Sequence, residues 1–568
     1  MYNNNFITKR FYILVSIILV LNIALFFRLF QKQILEHDEL IALAKKQYLV
    51  EESLPSPRGK IYIKDYYTGE DYLPIATNIT FYSVEAIPKN ITDVKKVAKK
   101  LAPLIDLNEK EIYKKINNDK IYIPPLQKKV DKKIAHKIEE LDLKGVLLVP
   151  ALYRYYPESE LASQVLGYVD ADSNGQYGIE GYYDSELRGK NNTFYNKQDT
   201  FGKYIDIIGS RQIESGDDLY LTIDRNIQFI VEEKLKAAIE KLGASGGSVI
   251  VMDPKTGAIM AMANYPSFDP NNYSKVKSVD VFNNLSINAI YEPGSVFKPF
   301  VVAGALQEDK VEPETSGVFG SCIKIGGYEV CTSTGDAYGR ETVGQILEHS
   351  DNVGMVFVGR EMGRDNLSKY ISRFGFRDRT GIDLMSETHS KVLDFEEWRE
   401  INFANMTFGQ GIAISPLQLV SAMSAIANGG KLYQPYVVDH INNENKIKNQ
   451  TKIKEIRQVI SPKVAEDVRE MLVGAVERGF GKAAQVSGFS IAGKTGTAQI
   501  PNPDAKGYLE KTNIVSFLGF APAENPQFTI LVKLDSPKGL PWAESTAAPV
   551  FGDIAKWMLS YLQIMPSK

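Results

Sequence analysis

The chain has 568 residues, too many for one ordinary domain, and its 44% hydrophobic and 24% charged side chains are those of a globular protein. A net charge of -3 and a pI near 6.1 leave no electrostatic footprint for nucleic-acid binding. Five scattered histidines, with no HExxH and no clustered Cys/His set, point to no metal site.

Residues 11–27, FYILVSIILVLNIALFF, carry no charge, and with Arg28 to Phe30 they would span ~30 Å as a helix, one bilayer core. A cleaved signal peptide has a shorter apolar core and a small-residue cleavage site, whereas FRLFQKQILEHDEL follows here. The expectation is a cytoplasmic tail at 1–10 and an uncleaved transmembrane anchor at 11–30, with the remainder exported. Lys9 and Arg10 favour that orientation and Arg28 and Lys32 weaken it; a buried core helix is the alternative. Between 31 and 216, short strands mix with lysine-rich helices. Lys95, Lys96, Lys99 and Lys100 lie beside Val94, Val97, Ala98 and Leu101 at helical spacing, so the basic run reads as a wet face. Val130, Ile134, Ile138 and Leu141 repeat the design.

From Leu219 the chain changes character. DLYLTIDRNIQ reads as a strand entering a helix that runs to about Leu242, and SGGSVIVMDPKTGAIMAMANYP as a hairpin. Apolar helices fill the middle, including Pro416 to Ala427. IAGKTGTAQI, NIVSFLGFAPA and QFTILVKLDS read as three more strands, closed by a helix from Ala548 to Ile564. Two strands, then helices, then three strands and a helix predict an α+β domain with an antiparallel sheet flanked by helices, over 217–568.

Within it, YEPGSVFKPF at 291–300 sets Lys298 three residues after Ser295. On a helix the two share a face, Ser295 stands at the unpaired N–H groups of the helix start, and Lys298 is desolvated among Phe297, Pro299 and Phe300. That is the setting in which a serine hydroxyl loses its proton to a neutral amine. The pattern alone is weak, because Ser274 to Lys277 matches it in a polar stretch. SCIKIGGYEVCTS reads as a hairpin about Gly326-Gly327, pairing Ile325 with Tyr328, Lys324 with Glu329, Ile323 with Val330 and Cys322 with Cys331. The cysteines fall at a non-hydrogen-bonded pair, where side chains approach most closely; a disulfide is expected, two free thiols being the alternative.

Ser295 to Lys298, Ser350-Asp351-Asn352 and Lys494-Thr495-Gly496 occur in the order of the S-x-x-K, S-D-N, K-T-G signature. Each has a decoy: Ser286-Ile287-Asn288 precedes the serine, and Lys255-Thr256-Gly257 closes a hairpin turn. The second K-T-G lies inside an apolar strand, where glycine is costly unless another backbone approaches. With EPGSVFKPF, GKTGT and FGQGIAISPLQL at 408–419, the region resembles the transpeptidase domain of class B penicillin-binding proteins. GIEGYYDSELRGK at 178–190 and Ser56-Pro57-Arg58-Gly59 resemble that family's non-catalytic pedestal or dimerisation-type module, here 31–216. NNLSINAIY before the serine and KDYYTGEDY after the Arg-Gly segment depart from the pattern. Thr407 to Ile412, TFGQGI, looks like the division (FtsI-like) group rather than the elongation group.

The resemblance implies a β-lactamase/transpeptidase-like fold and a peptidoglycan D,D-transpeptidase working through an acyl-serine, with no cofactor. Ser295 would be the nucleophile, Lys298 its base, Ser350 a proton relay and Lys494 a positive charge. Asn352 would hold the substrate amide, and Thr495, Gly496 and Thr497 would bind the terminal carboxylate of D-Ala-D-Ala. Backbone N–H groups of Ser295 and Thr497 would hold the oxyanion, and β-lactams would trap Ser295. Implied partners are peptidoglycan stem peptides, β-lactams, a membrane glycan polymerase of the FtsW kind and other division proteins. The implied location is the bacterial inner membrane, single-pass, with the catalytic domain outside the cytoplasm at the septum. An elongation-type transpeptidase or a D,D-carboxypeptidase shares the motifs. The anchor and upstream module argue against a β-lactamase, and the missing HExxH against a β-lactam sensor.

Overall fold

Alternation of apolar side chains along the strands that frame the catalytic region sets the architecture. In β1 (Gly246–Met252), Val249 and Val251 point into one core while Ile250 and Met252 point into another. The same two-sided burial holds along β2 (Ile259–Tyr265), β4 (Tyr508–Ala521) and β5 (Phe528–Asp535), with β3 (Ala492–Pro501) beside β4, so the sheet must be covered on both faces. The order is β2-β1-β5-β4-β3, antiparallel throughout, with β3 at one edge. Helices α1 (Arg225–Leu242) and α6 (Ala547–Tyr561) pack on one face. Four others pack within the core of the opposite face: α2 (Lys298–Gln307), α3 (Asn352–Met362), α4 (Pro416–Ala427) and α5 (Pro462–Glu477). α2 and α4 are buried on every face, as a helix inside a three-layer domain must be. The expected α+β domain is therefore present, element by element.

The computed structural model describes residues 4–40, 49–54, 56–66, 72–189, 192–198, 204–208, 215–443, 446–501, 507–539 and 542–566. The first residues of the expected tail, Lys190 of the GIEGYYDSELRGK segment and most of KDYYTGEDY lie outside them.

The chain divides into two units. In the first, residues 1–57 and 189–215, a helix runs from Asn4 to Phe30, and Leu49–Leu54, Asn192–Gln198 and Tyr204–Ile208 form a three-stranded antiparallel sheet. The helix is apolar and long enough to cross a bilayer. It fits a single-pass membrane anchor. Asn22 donates to Ile18 O at 2.8 Å, so its amide is partly satisfied within its own helix.

The second unit joins residues 58–188 to 216–568. Hydrogen bonds cross the seam expected at 216/217, because strand Ile61–Lys64 pairs in parallel with Asp218–Asp224, Leu219 opposite Ile61. Beside that seam lies a buried ion cluster. Glu180 is fully buried, taking Arg58 Nε on one oxygen and Arg154 Nε on the other, both at 2.6 Å. Burial pushes its carboxyl up, but the two guanidiniums outweigh that and hold it below the usual range. Asp184 takes Arg58 Nη1 at 2.8 Å, so the SPRG and GIEGYYDSELR segments interlock through charge.

The lysine run forms helix Val94–Leu101, with Val97, Ala98 and Leu101 buried and the lysines exposed. The second repeat is shorter than its periodicity: Val130 ends a strand, and Asp131 caps a helix confined to Lys132–Glu139.

Candidate active site

Pro293 leads into a 3-10 turn, Gly294–Phe297, and α2 begins only at Lys298 with Pro299 in its first turn. Ser295 thus stands on the tight turn ahead of α2, partly exposed, between buried Gly294 and buried Val296. The turn is pinned from outside. Gly294 N donates to Gly409 O at 3.0 Å, and Glu292 accepts from Gly411 N at 3.1 Å and from the Tyr508 hydroxyl at 3.1 Å. The FGQG segment and β4 therefore hold the serine turn between them.

Lys298 has no solvent exposure. Its neighbours Phe297 and Phe300 each pack on Phe376 with ring centroids 5.1 Å apart. The hydrogen bonds of its Nζ run to Ser350 O at 2.5 Å, Asn352 Oδ1 at 2.8 Å and Ser350 Oγ at 3.2 Å. Spacing alone aims Lys298 at Ser295; in the folded chain the 350–352 segment supplies the three acceptors. Three acceptors suit an ammonium, and loss of one proton turns one of these contacts into a lone pair. Burial, followed by the charge of Lys494, pushes the Lys298 amine well down, against Asp351 and Glu341.

Ser350 occupies the left-handed region, φ +56°, in the sharp turn between helix Val343–Glu348 and α3. Such a conformation costs a non-glycine residue ~1 to 3 kcal/mol and persists where surroundings over-determine it. Asp351 does part of that work, its two oxygens accepting Val353 N at 2.8 Å and Gly354 N at 2.9 Å as the cap of α3. Asn352 is held by both ends of its amide, Nδ2 donating to Cys331 O at 3.0 Å.

From the opposite wall, Lys494 on β3 places Nζ 2.9 Å from Ser350 Oγ. Burial alone pushes this amine down to about 7. The neighbouring Gly496 is where β3 presses on the serine turn. A Cβ there would lie 2.8 Å from Val296 Cγ1 and 3.0 Å from Pro293 O, so only glycine allows the approach. Thr495 and Thr497, two residues apart on this edge strand, line a cleft of about 370 Å³ with Gly294, Ser295, Ser350 and Asn352. All three motifs, from Ser295 to Gly496, meet at that cleft, Lys298 and Lys494 through Ser350.

The decoys lie elsewhere. Gly257 sits at φ +83° and donates its N–H to Asp253 O, closing the β1–β2 turn. Ser286 is buried against Asn264, and Ser274 and Lys277 are exposed. Cys322 and Cys331 pair in the register counted from Gly326-Gly327, with their sulfurs 2.12 Å apart. Sequence reading passed over Ser333, Thr334, Phe480, Trp542 and Glu544, which complete the cleft rim. They come from loops and, for Glu544, a short 3-10 turn, and no local signal marks them.

Residues 247–556 match the penicillin-binding protein transpeptidase domain, and residues 53–221 match the penicillin-binding protein dimerisation domain. The chain is 34% identical to stage V sporulation protein D of Bacillus subtilis, over 95% of this chain and 84% of that protein. It is 30% identical to peptidoglycan D,D-transpeptidase FtsI of Escherichia coli K12, over 99% and 93%. Its fold is similar to penicillin-binding protein 3 of Mycobacterium tuberculosis in complex with aztreonam, with a TM-score of 0.71, 25% identity and coverage of 91% and 98%. Penicillin-binding protein 2X of Streptococcus thermophilus superposes with a TM-score of 0.77 at 22% identity, over 90% and 80%. A chain that carries the dimerisation and transpeptidase domains in this order, and aligns with such relatives nearly end to end, belongs to the class B penicillin-binding proteins.

Proposed function

We propose that this protein cross-links peptidoglycan stem peptides through Ser295. The observation that carries the reading is the convergence of Ser295, Lys298, Ser350, Asn352, Lys494 and Thr497 on one cleft behind a pinned serine turn. Lys298, as a neutral amine, takes the hydroxyl proton as Ser295 Oγ bonds to the carbonyl carbon of the penultimate D-alanine. Ser350, between the two lysines, passes a proton to the nitrogen of the departing D-alanine as the peptide bond breaks. Asn352 holds the substrate amide. Lys494, Thr495 and Thr497 receive the terminal carboxylate, and Gly496 lets β3 lie close enough to do so. Backbone N–H groups of Ser295 and Thr497 hold the oxyanion, donors worth ~10²–10³ in rate each. An amine from a neighbouring strand then attacks the ester, restoring the serine hydroxyl and forming the cross-link. β-Lactams acylate the same oxygen. The product made from lipid-linked nascent peptidoglycan tests this: cross-linked dimers support transfer to an amine, and trimmed monomers alone would make it a D,D-carboxypeptidase.

The division role rests on TFGQGI and on identity with FtsI. In this reading the anchor, residues 11–30, and the module, residues 31–216, contact a membrane glycan polymerase of the FtsW kind and other division proteins at the septum. A single lipid-spanning helix gains specificity from packing and polar contacts rather than from hydrophobicity, and Ser16 and Asn22 are the uncharged polar residues available in the apolar run. Replacing residues 11–30 by an unrelated anchor, with the native copy depleted, should give filamentous cells. Rounded cells would assign elongation, and normal growth would remove the partner reading.

A further inference from the structure

Behind the cleft lies a second set of titratable groups that the mechanism above does not use. Strand Gly339–Thr342 carries Glu341, which is 1% exposed and points inward. One of its oxygens, Oε1, lies 2.5 Å from His349 Nδ1; the carboxyl also lies against the Asp351 side chain, and Oε2 is buried with no donor from elsewhere. His349 immediately precedes Ser350, and its ring is held from the other side by Tyr338, stacked at 4.9 Å. The imidazole is partly open to solvent, 41% exposed, while Glu341 and Asp351 are sealed.

A buried carboxyl with an orphan oxygen is costly unless it serves something. Strand Ser316–Phe319 places Gly317 opposite Glu341 and offers no charge. Helix Val343–Glu348 ends at Glu348, which is paired with Arg478. His349 follows, Asp351 caps α3, and Ser350 between them accepts from Lys298 on α2 and Lys494 on β3. We propose that Glu341, oriented by His349, is a positioning residue that sets the charge balance around Lys298 and so the pH at which the acylating serine becomes active.

The physical logic is electrostatic. Lys298 can act as a base only when neutral, and a negative charge nearby favours its ammonium. Burial pushes the Glu341 carboxyl up, the His349 contact pulls it down, and Asp351 raises it again. Glu341 and Asp351 are the two groups that oppose the depression of Lys298. Asp351 is engaged by the N–H groups of α3, whereas Glu341 contacts the partly exposed imidazole of His349. Ionised Glu341 keeps Lys298 charged; protonated Glu341 releases it.

This inference rests on Lys298 being the base, and the test separates the two. The rate of acylation by a chromogenic or fluorescent β-lactam is measured from pH 5 to 9 on the full-length protein. Glu341→Gln keeps shape and removes the charge, so the acid limb of the profile should move to lower pH, by of the order of one unit. His349→Gln should move the limb the same way by less, since without the imidazole the buried carboxyl keeps its proton. This second variant also keeps the proposal testable if Glu341→Gln fails to fold. A limb that stays in place in whichever variants fold, even with a uniformly lower rate or stability, would overturn the proposal and leave Glu341 a structural residue. If Lys298→Arg acylates at the wild-type rate, it is the base assignment that fails instead.

Discussion

Lys494 reaches across the cleft from β3 to within 2.9 Å of the Ser350 hydroxyl, which also lies 3.2 Å from Lys298 Nζ. One hydroxyl therefore bridges two buried amines, and their proximity sets the electrostatics of the site. Two ammoniums so close, and out of water, oppose each other, which favours at least one neutral lysine near physiological pH. A base and a positive charge can then coexist a hydroxyl apart.

Labelled penicillin should attach to Ser295. A tryptic digest analysed by mass spectrometry should carry the adduct on the peptide containing Ser295, and Ser295→Ala should abolish labelling with the thermal transition unchanged. An adduct on Ser274 would sink the assignment.

Lys298→Arg retains the charge but cannot accept a proton. Acylation should fall by ~10² to 10⁴, the usual worth of a positioned base. A variant acylating near the wild-type rate would exclude Lys298 as base.

The depressed amine of Lys494 makes a stability prediction. An unfolded lysine titrates near 10.4, whereas this one titrates at about 7 in the folded chain. The folded state therefore binds fewer protons between these values, so its burial cost is fully present below about 7 and fades as pH rises toward 10. Lys494→Met should raise the unfolding free energy at pH 7 by roughly 2 kcal/mol or more, and the gain should shrink by pH 10 while acylation is impaired throughout. A gain independent of pH would mean that titration is not its source.

Glu180→Leu should be among the most damaging changes outside the cleft. It leaves Arg58 and Arg154 buried without their shared carboxylate, a loss of ~3 to 5 kcal/mol. Chemical denaturation measures it; a loss below 1 kcal/mol would show that the arginines find other partners.

Non-reducing peptide mapping of protein recovered from its native compartment should yield one cross-linked peptide joining Cys322 to Cys331. Two thiols open to alkylation would refute the link.

Much of this molecule was legible in the order of its residues. The near-continuous apolar runs SVIVM and FTILV encode strands buried on both faces, and Gly326-Gly327 encodes a hairpin whose register can be counted. Such features are local: periodicity and turn chemistry report what each segment buries and where it bends. The three motifs were equally visible, because each sets particular residue types at short spacings.

What the tertiary structure alone decided is which faces meet. The hydrogen bonds of Lys298 run to Ser350 and Asn352, residues 52 and 54 positions away, although spacing points the lysine at Ser295. Strand Ile61–Lys64 completes a sheet with Asp218–Asp224, crossing the seam that composition implied. Phe480 and Trp542 reach the cleft from loops and Glu544 from a short 3-10 turn, and Glu341 reaches His349, the neighbour of Ser350, from a strand with nothing to mark it. No periodicity records such meetings. They arise only when amphipathic faces pack into one core and bring distant charges into the same low-dielectric space, where a buried lysine can become a base.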